Sequence, residues 1–495
     1  MDISAPPVDL GAIAPLIVLI AGAAIVLMLD LVVAPAQRAV LAYVSLVVTV
    51  LAFVACLPLW NDGRFAYADM VHVDRFGIFF SAVVLGAVAL TILLSIDYLR
   101  QQEMNYGEYY PLLLFTAAGM LAMAISNDLV MIFISLEILS IGLYILSGFA
   151  RGNQRSEESA LKYFLLGSFS LAFLVYGTAL IYGATGSTNF TAIAQALGDD
   201  NVRTNPLLLA GVGLILVGFG FKLAFVPFHM WTPDVYCGAP TSVTAFMSVA
   251  TKVAVFAALV RTIIGAMPAL RDGWITPLWG LAIVTMIVGN VAAVMQRDIK
   301  RMLAYSSIGQ AGYVLVAVVA AESVRQDVSD AAVSSILYYL LAYTVMNLGA
   351  FAVVIALAQR SGERLDLNRD YAGLARTNPW LAGALAVFML SLAGIPPTSG
   401  FIGKMAVFRA AVSAGYWPLA LIGVITSVIA LAFYLRVIVL MYTRDPQEQA
   451  DGAVTRTAAP VSVVLTVCVV LTLFFGVLPG LPFDLAQRAL FVIGQ

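Results

Sequence analysis

The stretch KLAFVPFHMWTPD, residues 222–234, and its counterpart GIPPTSGFIGK, residues 394–404, decide how this chain is read. In each, proline and glycine interrupt sequence that is otherwise apolar, next to a lysine. Proline removes a backbone donor and clashes with the preceding turn. At membrane depth such a break survives only where it faces protein or a water-filled cavity. The first could also be read as a helix end followed by a polar loop. The second lies inside an apolar run, 379–411, too long for that reading.

Around these breaks the whole chain is written for lipid. Of 495 residues, 62% are hydrophobic and 11% charged, against roughly 25% charged in soluble domains. The balance of 26 basic and 28 acidic residues offers no dense basic face, which argues against nucleic-acid binding. Cys56, Cys237 and Cys468 stand far apart with no metal-ligand spacing, so neither a disulfide framework nor iron–sulfur ligation is expected. Gly211-Val-Gly213 follows no strand and is no dinucleotide fingerprint. Ala34-Pro35-Ala36 resembles a signal-peptide cleavage site, but Asp2 and Asp9 replace the basic start and the apolar run is long enough to span, so a retained first helix is expected.

At about 20 residues per crossing, fourteen apolar segments are predicted: 11–33, 39–60, 74–98, 110–126, 128–149, 158–183, 206–227, 240–262, 273–295, 301–320, 333–358, 379–411, 416–442 and 459–478. The expected fold is an all-α polytopic membrane protein with both termini on one side. With the N-terminus outside, thirteen basic residues fall in inner loops, among them Arg38, Arg360, Arg364 and Arg456, and seven in outer loops, among them Arg64, Arg261 and Arg271. That bias favours outer termini. The breaks fall in the seventh and twelfth segments, five apart, which is the mark of an inverted repeat with its site near the midplane. Helices four to eight and nine to thirteen are taken as the repeats. The organisation is one membrane domain, 1–495: three N-terminal helices in 1–105, repeats in 106–265 and 266–443, and a last helix in 444–495.

Lysine placement carries the chemistry. Of five lysines, Lys162, Lys222, Lys252 and Lys404 fall within predicted helices and Lys300 in a short loop, whereas nearly all 21 arginines sit in loops or at helix ends. A desolvated lysine can exchange its proton near neutral pH, while arginine stays protonated. Glu137 lies about 13 Å into its helix, where a lone carboxylate is costly unless paired. Lys222 is the expected partner and Lys162 the competitor. Lys252 stands roughly 18 Å beyond Pro240, and Lys404 two turns past the second break. In order, Glu137, Lys222, Lys252 and Lys404 form a line of ionisable groups across the membrane plane. His229, directly after the first break, could relay protons to Lys222. The alternatives are snorkelling for each lysine and, for His229, a histidine that satisfies freed carbonyls. Ser140, Tyr144, Thr251 and Tyr305 could support water chains or simply bond between helices.

VPFHMWTPDVYCGAPTSVTAFMSVATK, residues 226–252, together with residues 394–404, resembles the antiporter-like membrane subunits of bacterial respiratory complex I, over essentially the whole chain. The resemblance implies two inverted five-helix repeats forming one proton channel. Glu137 and Lys222 would be the paired charges of helices five and seven, Lys252 the connecting lysine and Lys404 the distal lysine of broken helix twelve. Lys404 stands where the M-type branch has glutamate, and the lateral helix of the L-type branch is not expected, which together favour the N-type branch. The resemblance further implies NADH, FMN, iron–sulfur clusters and quinone in partner subunits with no cofactor or metal in this chain, other membrane subunits and an indirectly coupled peripheral arm as partners, surrounding lipids, and a bacterial inner membrane. The competing expectations are an Mrp-type cation/proton antiporter subunit without redox partners and a scaffold without an ion path.

Overall fold

The computed structural model describes residues 8–358, 365–446 and 457–490. Asp2 of the signal-peptide reading and Arg360, Arg364 and Arg456 of the loop-charge reading lie outside them. Among the described residues eleven helices are long and apolar enough to cross a membrane and three more are shorter and apolar, in the places of the fourteen predicted segments.

In chain order they are α1 Ala14–Asp30, α2 Ala39–Cys56, α3 Arg75–Gln101, α4 Tyr109–Ala124, α5 Leu129–Ser147, α6 Gln154–Thr185, α7 Pro206–Leu223 continued by Trp231–Gly238, α8 Thr241–Ala266, α9 Arg271–Val294, α10 Ile299–Ala320, α11 Gln326–Ala358, α12 Pro379–Ala393 continued by Ser399–Ser413, α13 Trp417–Thr443 and α14 Ala459–Val477. Several starts are set by polar caps whose side chains take the first free amides. Asp74 accepts from Gly77, Asp128 from Val130, Asn153 from Arg155 and Asp298 from Arg301.

Both breaks are real, and they are built alike. The first half of α7 ends on Ala224 (φ 60°), whose successor Phe225 donates back to the Gly220 carbonyl at 2.8 Å. The first half of α12 ends on Gly394 (φ 87°), and Ile395 donates to Leu390 at 3.0 Å. Each is a left-handed cap closed by a six-to-one bond. In both, proline follows at the third residue, Pro227 and Pro397, and the helix then resumes. The sequence reading of the first break as a helix end followed by loop is thereby set aside.

The helices sort by depth. α8, α10 and α11 are buried along nearly their whole length, while α2, α6, α9, α13 and α14 expose most of theirs. Lipid offers no hydrogen bonds, so polar side chains collect on the inner three. One addition to the all-helical expectation is a small antiparallel hairpin between α2 and α3, Arg64–Ala66 with Val71–Val73, pairing Phe65 with His72. It marks one end of the bundle. There a buried ion pair joins Arg261 to Asp74, and Arg261 Nε donates to the Ala124 carbonyl at 3.0 Å. Arg261, counted with the outer loops above, is therefore inside the last turns of α8 and buried.

Candidate functional site: a buried row of lysines and tyrosines

Helical spacing on α5 aligns Glu137, Ser140 and Tyr144, at i, i+3 and i+7, along one side. Lys222, in the last turn before the α7 break and 3% exposed, reaches them. Its Nζ donates to the Tyr144 hydroxyl at 3.5 Å and sits 5.0 Å from that ring and 4.8 Å from the Tyr163 ring. Glu137 and Lys222 interact electrostatically. Among the described residues no ion pair within contact distance joins them, and the hydroxyl that Lys222 does reach is that of Tyr144. Glu137 is half-buried, with one carboxylate oxygen buried and unpartnered.

Lys252 follows a π-helical turn, Met247–Thr251, in α8. Such turns recur at functional positions. Its ammonium donates to the carbonyl of Ser307 and, at 2.5 Å, to that residue's hydroxyl. Tyr343 of α11 donates to the same hydroxyl at 2.8 Å, and Tyr236, from the second half of α7, also bonds Ser307. Rings bridge the space back to Lys222: Tyr163 stacks on Trp231 at 4.5 Å and Trp231 meets Tyr236 edge-on at 6.1 Å. Along this stretch the hydroxyls of Tyr163, Thr232 and Thr251 are buried without protein partners.

From Lys252 the polar line passes along α10. Ser306 bonds the Tyr434 hydroxyl at 2.5 Å, and Gln310, one turn on, donates to Tyr434 at 3.1 Å and accepts from Tyr339. The Gln310 amide also donates to the Leu392 carbonyl at 3.1 Å. That carbonyl is one of those freed by the α12 break. Lys404 takes it too, at 3.0 Å, with the Ala393 carbonyl at 3.1 Å, while its ammonium lies 4.6 Å from the Tyr313 ring. Gln310 and Lys404 therefore share one oxygen. This is the cation's natural place, since unpaired C-terminal carbonyls carry the negative end of a half-helix dipole.

Two lysines exchange places relative to the sequence reading. Lys162 is helical but its side chain is 40% exposed and held in ion pairs by Glu158 at 2.6 Å and Asp234 at 2.8 Å, away from Glu137. Lys300, expected in a loop, stands in the first turn of α10 with 0% exposure, donating to the Ala239 carbonyl at 2.8 Å. The fourth buried lysine is thus Lys300. Its burial follows from packing between the second half of α7 and α10, which sequence distance conceals. His229 lies within the first break, half-buried, with Nδ1 unpartnered. Of the weaker candidates Tyr144 is central, whereas Tyr305 takes no part. Ser306, Ser307, Gln310, Tyr339, Tyr343 and Tyr434 were missed; polar side chains at helical spacing within YSSIGQAGY, residues 305–313, were the available signal.

Among the described residues no group of three His, Cys, Asp or Glu side chains is arranged to hold a metal ion. Residues 126–430 match the family described as NADH:quinone oxidoreductase/Mrp antiporter, TM. NADH-quinone oxidoreductase subunit N of Trichlorobacter lovleyi is 45% identical over 98% of this chain and 98% of its own length. The subunit N of Chloroflexus aggregans is 43% identical over 100% and 99%. Among solved structures, a chain of respiratory complex I from Thermus thermophilus matches with a TM-score of 0.79 at 34% identity, covering 96% of this chain and 99% of that one. A chain of the Mrp complex from Dietzia sp. has a TM-score of 0.81 at 23% identity, covering 97% of each, which is a likeness of fold alone. With a full-length match to subunit N sequences and paired broken helices around a buried lysine row, this chain belongs to the NADH:quinone oxidoreductase/Mrp antiporter family of membrane subunits, in its subunit N line.

Proposed function

We propose that the chain is a proton-translocating membrane subunit of a bacterial NADH-quinone oxidoreductase. The supporting observation is the near-continuous row from Glu137 through Tyr144 and Lys222, past Ser307 and Lys252, to Gln310, the Leu392 carbonyl and Lys404. Its central part runs through α8 and α10, which are buried along nearly their whole length. Lysines in such a row can release and regain protons without leaving a fixed charge in the bilayer.

In this reading a change at the Glu137 end, driven by redox chemistry in partner subunits, alters the contact among Glu137, Tyr144 and Lys222. The changed field shifts proton occupancy at Lys252 and then at Lys404, and one proton leaves on the outer side. Expelling it against 150 mV costs about 3.5 kcal/mol, within the range that displacing one buried charge relative to another supplies. Water bridges Lys222 to Lys252, using the unpartnered hydroxyls of Tyr163, Thr232 and Thr251. His229 serves the first break, and Lys162 stays at the periphery.

The repeats are residues 106–265 and 266–443, and the hairpin end faces outward with both termini. NADH, FMN, the iron–sulfur clusters and quinone belong to partner subunits. One such membrane subunit covers α5, where Ile134, Ile138, Ile141 and Ile145 are exposed beside the half-buried Glu137. The Mrp-type reading has weaker support, because the likeness to the Dietzia complex is one of fold.

The test is NADH-driven proton uptake by the intact complex in vesicles. Lys252→Ala is expected to lower coupled pumping by more than tenfold with the complex assembled. Unchanged pumping would leave the chain a scaffold.

A further inference from the structure

The second half of α12 and α13 enclose a membrane-facing groove of 770 Å³ whose inner end is formed by Gly394 and Lys404. Its walls are Phe401, Met405, Leu421 and Val424, the last three about half exposed. Toward the hairpin end it meets two residues of different character. Arg409 lines the groove and is exposed, with no protein partner among the described residues. Trp417 is 62% exposed. Arg409 lies one turn before the end of its helix at Ser413, close to where the bilayer meets water, and tryptophan prefers that level. A guanidinium near a helix end can snorkel to the interfacial level, where lipid phosphates lie, and its planar fork suits a phosphate. A second groove, 700 Å³ between α7 and α9, is lined by uncharged residues throughout. Size and apolarity are shared; the basic rim belongs to one.

We infer that the α12–α13 groove binds an anionic phospholipid, its phosphate on Arg409 beside Trp417 and an acyl chain laid along Met405, Leu421 and Val424 toward Lys404. The chain's end closes the side of the α12 break that protein leaves open, keeping the Lys404 ammonium on the Leu392 and Ala393 carbonyls. The lipid assignment stands apart from the transport reading, because its first readout is binding.

The experiment uses the intact complex in phosphatidylcholine vesicles containing a photo-crosslinkable phosphatidylglycerol or its phosphatidylcholine analogue. Expected is labelling of α12–α13 that phosphatidylglycerol gives and competes for and phosphatidylcholine does not, with no such preference in the α7–α9 groove. Arg409→Gln should weaken it about fivefold, the factor one arginine contributes near an anionic lipid. Val424→Trp should displace the chain while keeping the charge. Equal labelling by both lipids, labelling unaffected by Arg409→Gln, or crosslinking of Val424→Cys to a partner subunit in native membranes would each overturn the assignment.

Discussion

The hydroxyl of Tyr144 occupies the space in which a side chain at Gly167 would begin: a Cβ at position 167 would stand 2.1 Å from that oxygen and 2.8 Å from the ring carbon bearing it. α6 therefore carries glycine here so that the tyrosine that Lys222 bonds can lie against it. Gly167→Ala must push a stiff ring aside, and overpacking of this kind costs about 1–3 kcal/mol. Coupled proton uptake should fall several-fold in vesicles while the assembled complex is recovered in normal yield, and Tyr144→Phe should relieve only the hydroxyl contact, since the ring carbon it keeps still stands 2.8 Å from the new Cβ.

Ala224 and Gly394 cap their half-helices in the same left-handed conformation, but only one is glycine. An L-residue there costs about 1–2 kcal/mol. Ala224→Gly should raise thermal stability, measured by unfolding of the purified complex in detergent. Gly394→Ala should lower it and also disturb Lys404, whose Cδ lies 2.9 Å from the position a new Cβ would take.

Gln310 and Lys404 meet at the Leu392 carbonyl, and Gln310 is the only one of the two that also reaches Tyr434 and Tyr339. Gln310→Leu keeps volume and removes the amide. Pumping should drop by about tenfold, since a lost polar link in a row leaves its neighbours unpaired at roughly 1–3 kcal/mol. Lys162→Ala, by contrast, removes two exposed ion pairs, each worth less than about 1 kcal/mol, and pumping should stay near wild type. A large loss with Lys162→Ala would return it to the row.

Glu322, in the turn between α10 and α11, has its carboxyl pushed up to about 8 by burial, with Arg271 opposing the shift. A raised acid stays neutral in the folded protein where the unfolded chain has already ionised. Between the ordinary value of 4.5 and about 8 the folded state therefore holds more protons, so stability falls as pH rises through this window and levels off above it. Glu322→Gln should flatten that slope. Melting temperatures from pH 5 to 9 that fall equally in both proteins would contradict it.

The fourteen spans, the two breaks and the candidate row were legible because lipid imposes its demands residue by residue: apolar length, proline at an interruption, and charges too costly to be placed idly. Glu137, Lys222, Lys252 and Lys404 stand out by depth within a segment, and depth is a one-dimensional property. Which lysine is shielded is not. Lys300 sits at a helix start yet is covered by the second half of α7, and Lys162 sits within α6 but on a face that meets Asp234 of the second half of α7, beside its own helix's Glu158. Burial of that kind is decided by which helices touch, as are the tyrosines and Gln310 that join Lys252 to Lys404, for they come from α10, α11 and α13 and converge only when the bundle closes. The sequence by itself determined that charge would be buried in this membrane domain; the packing of α8, α10 and α11 decided which charges, and through which hydroxyls they are connected.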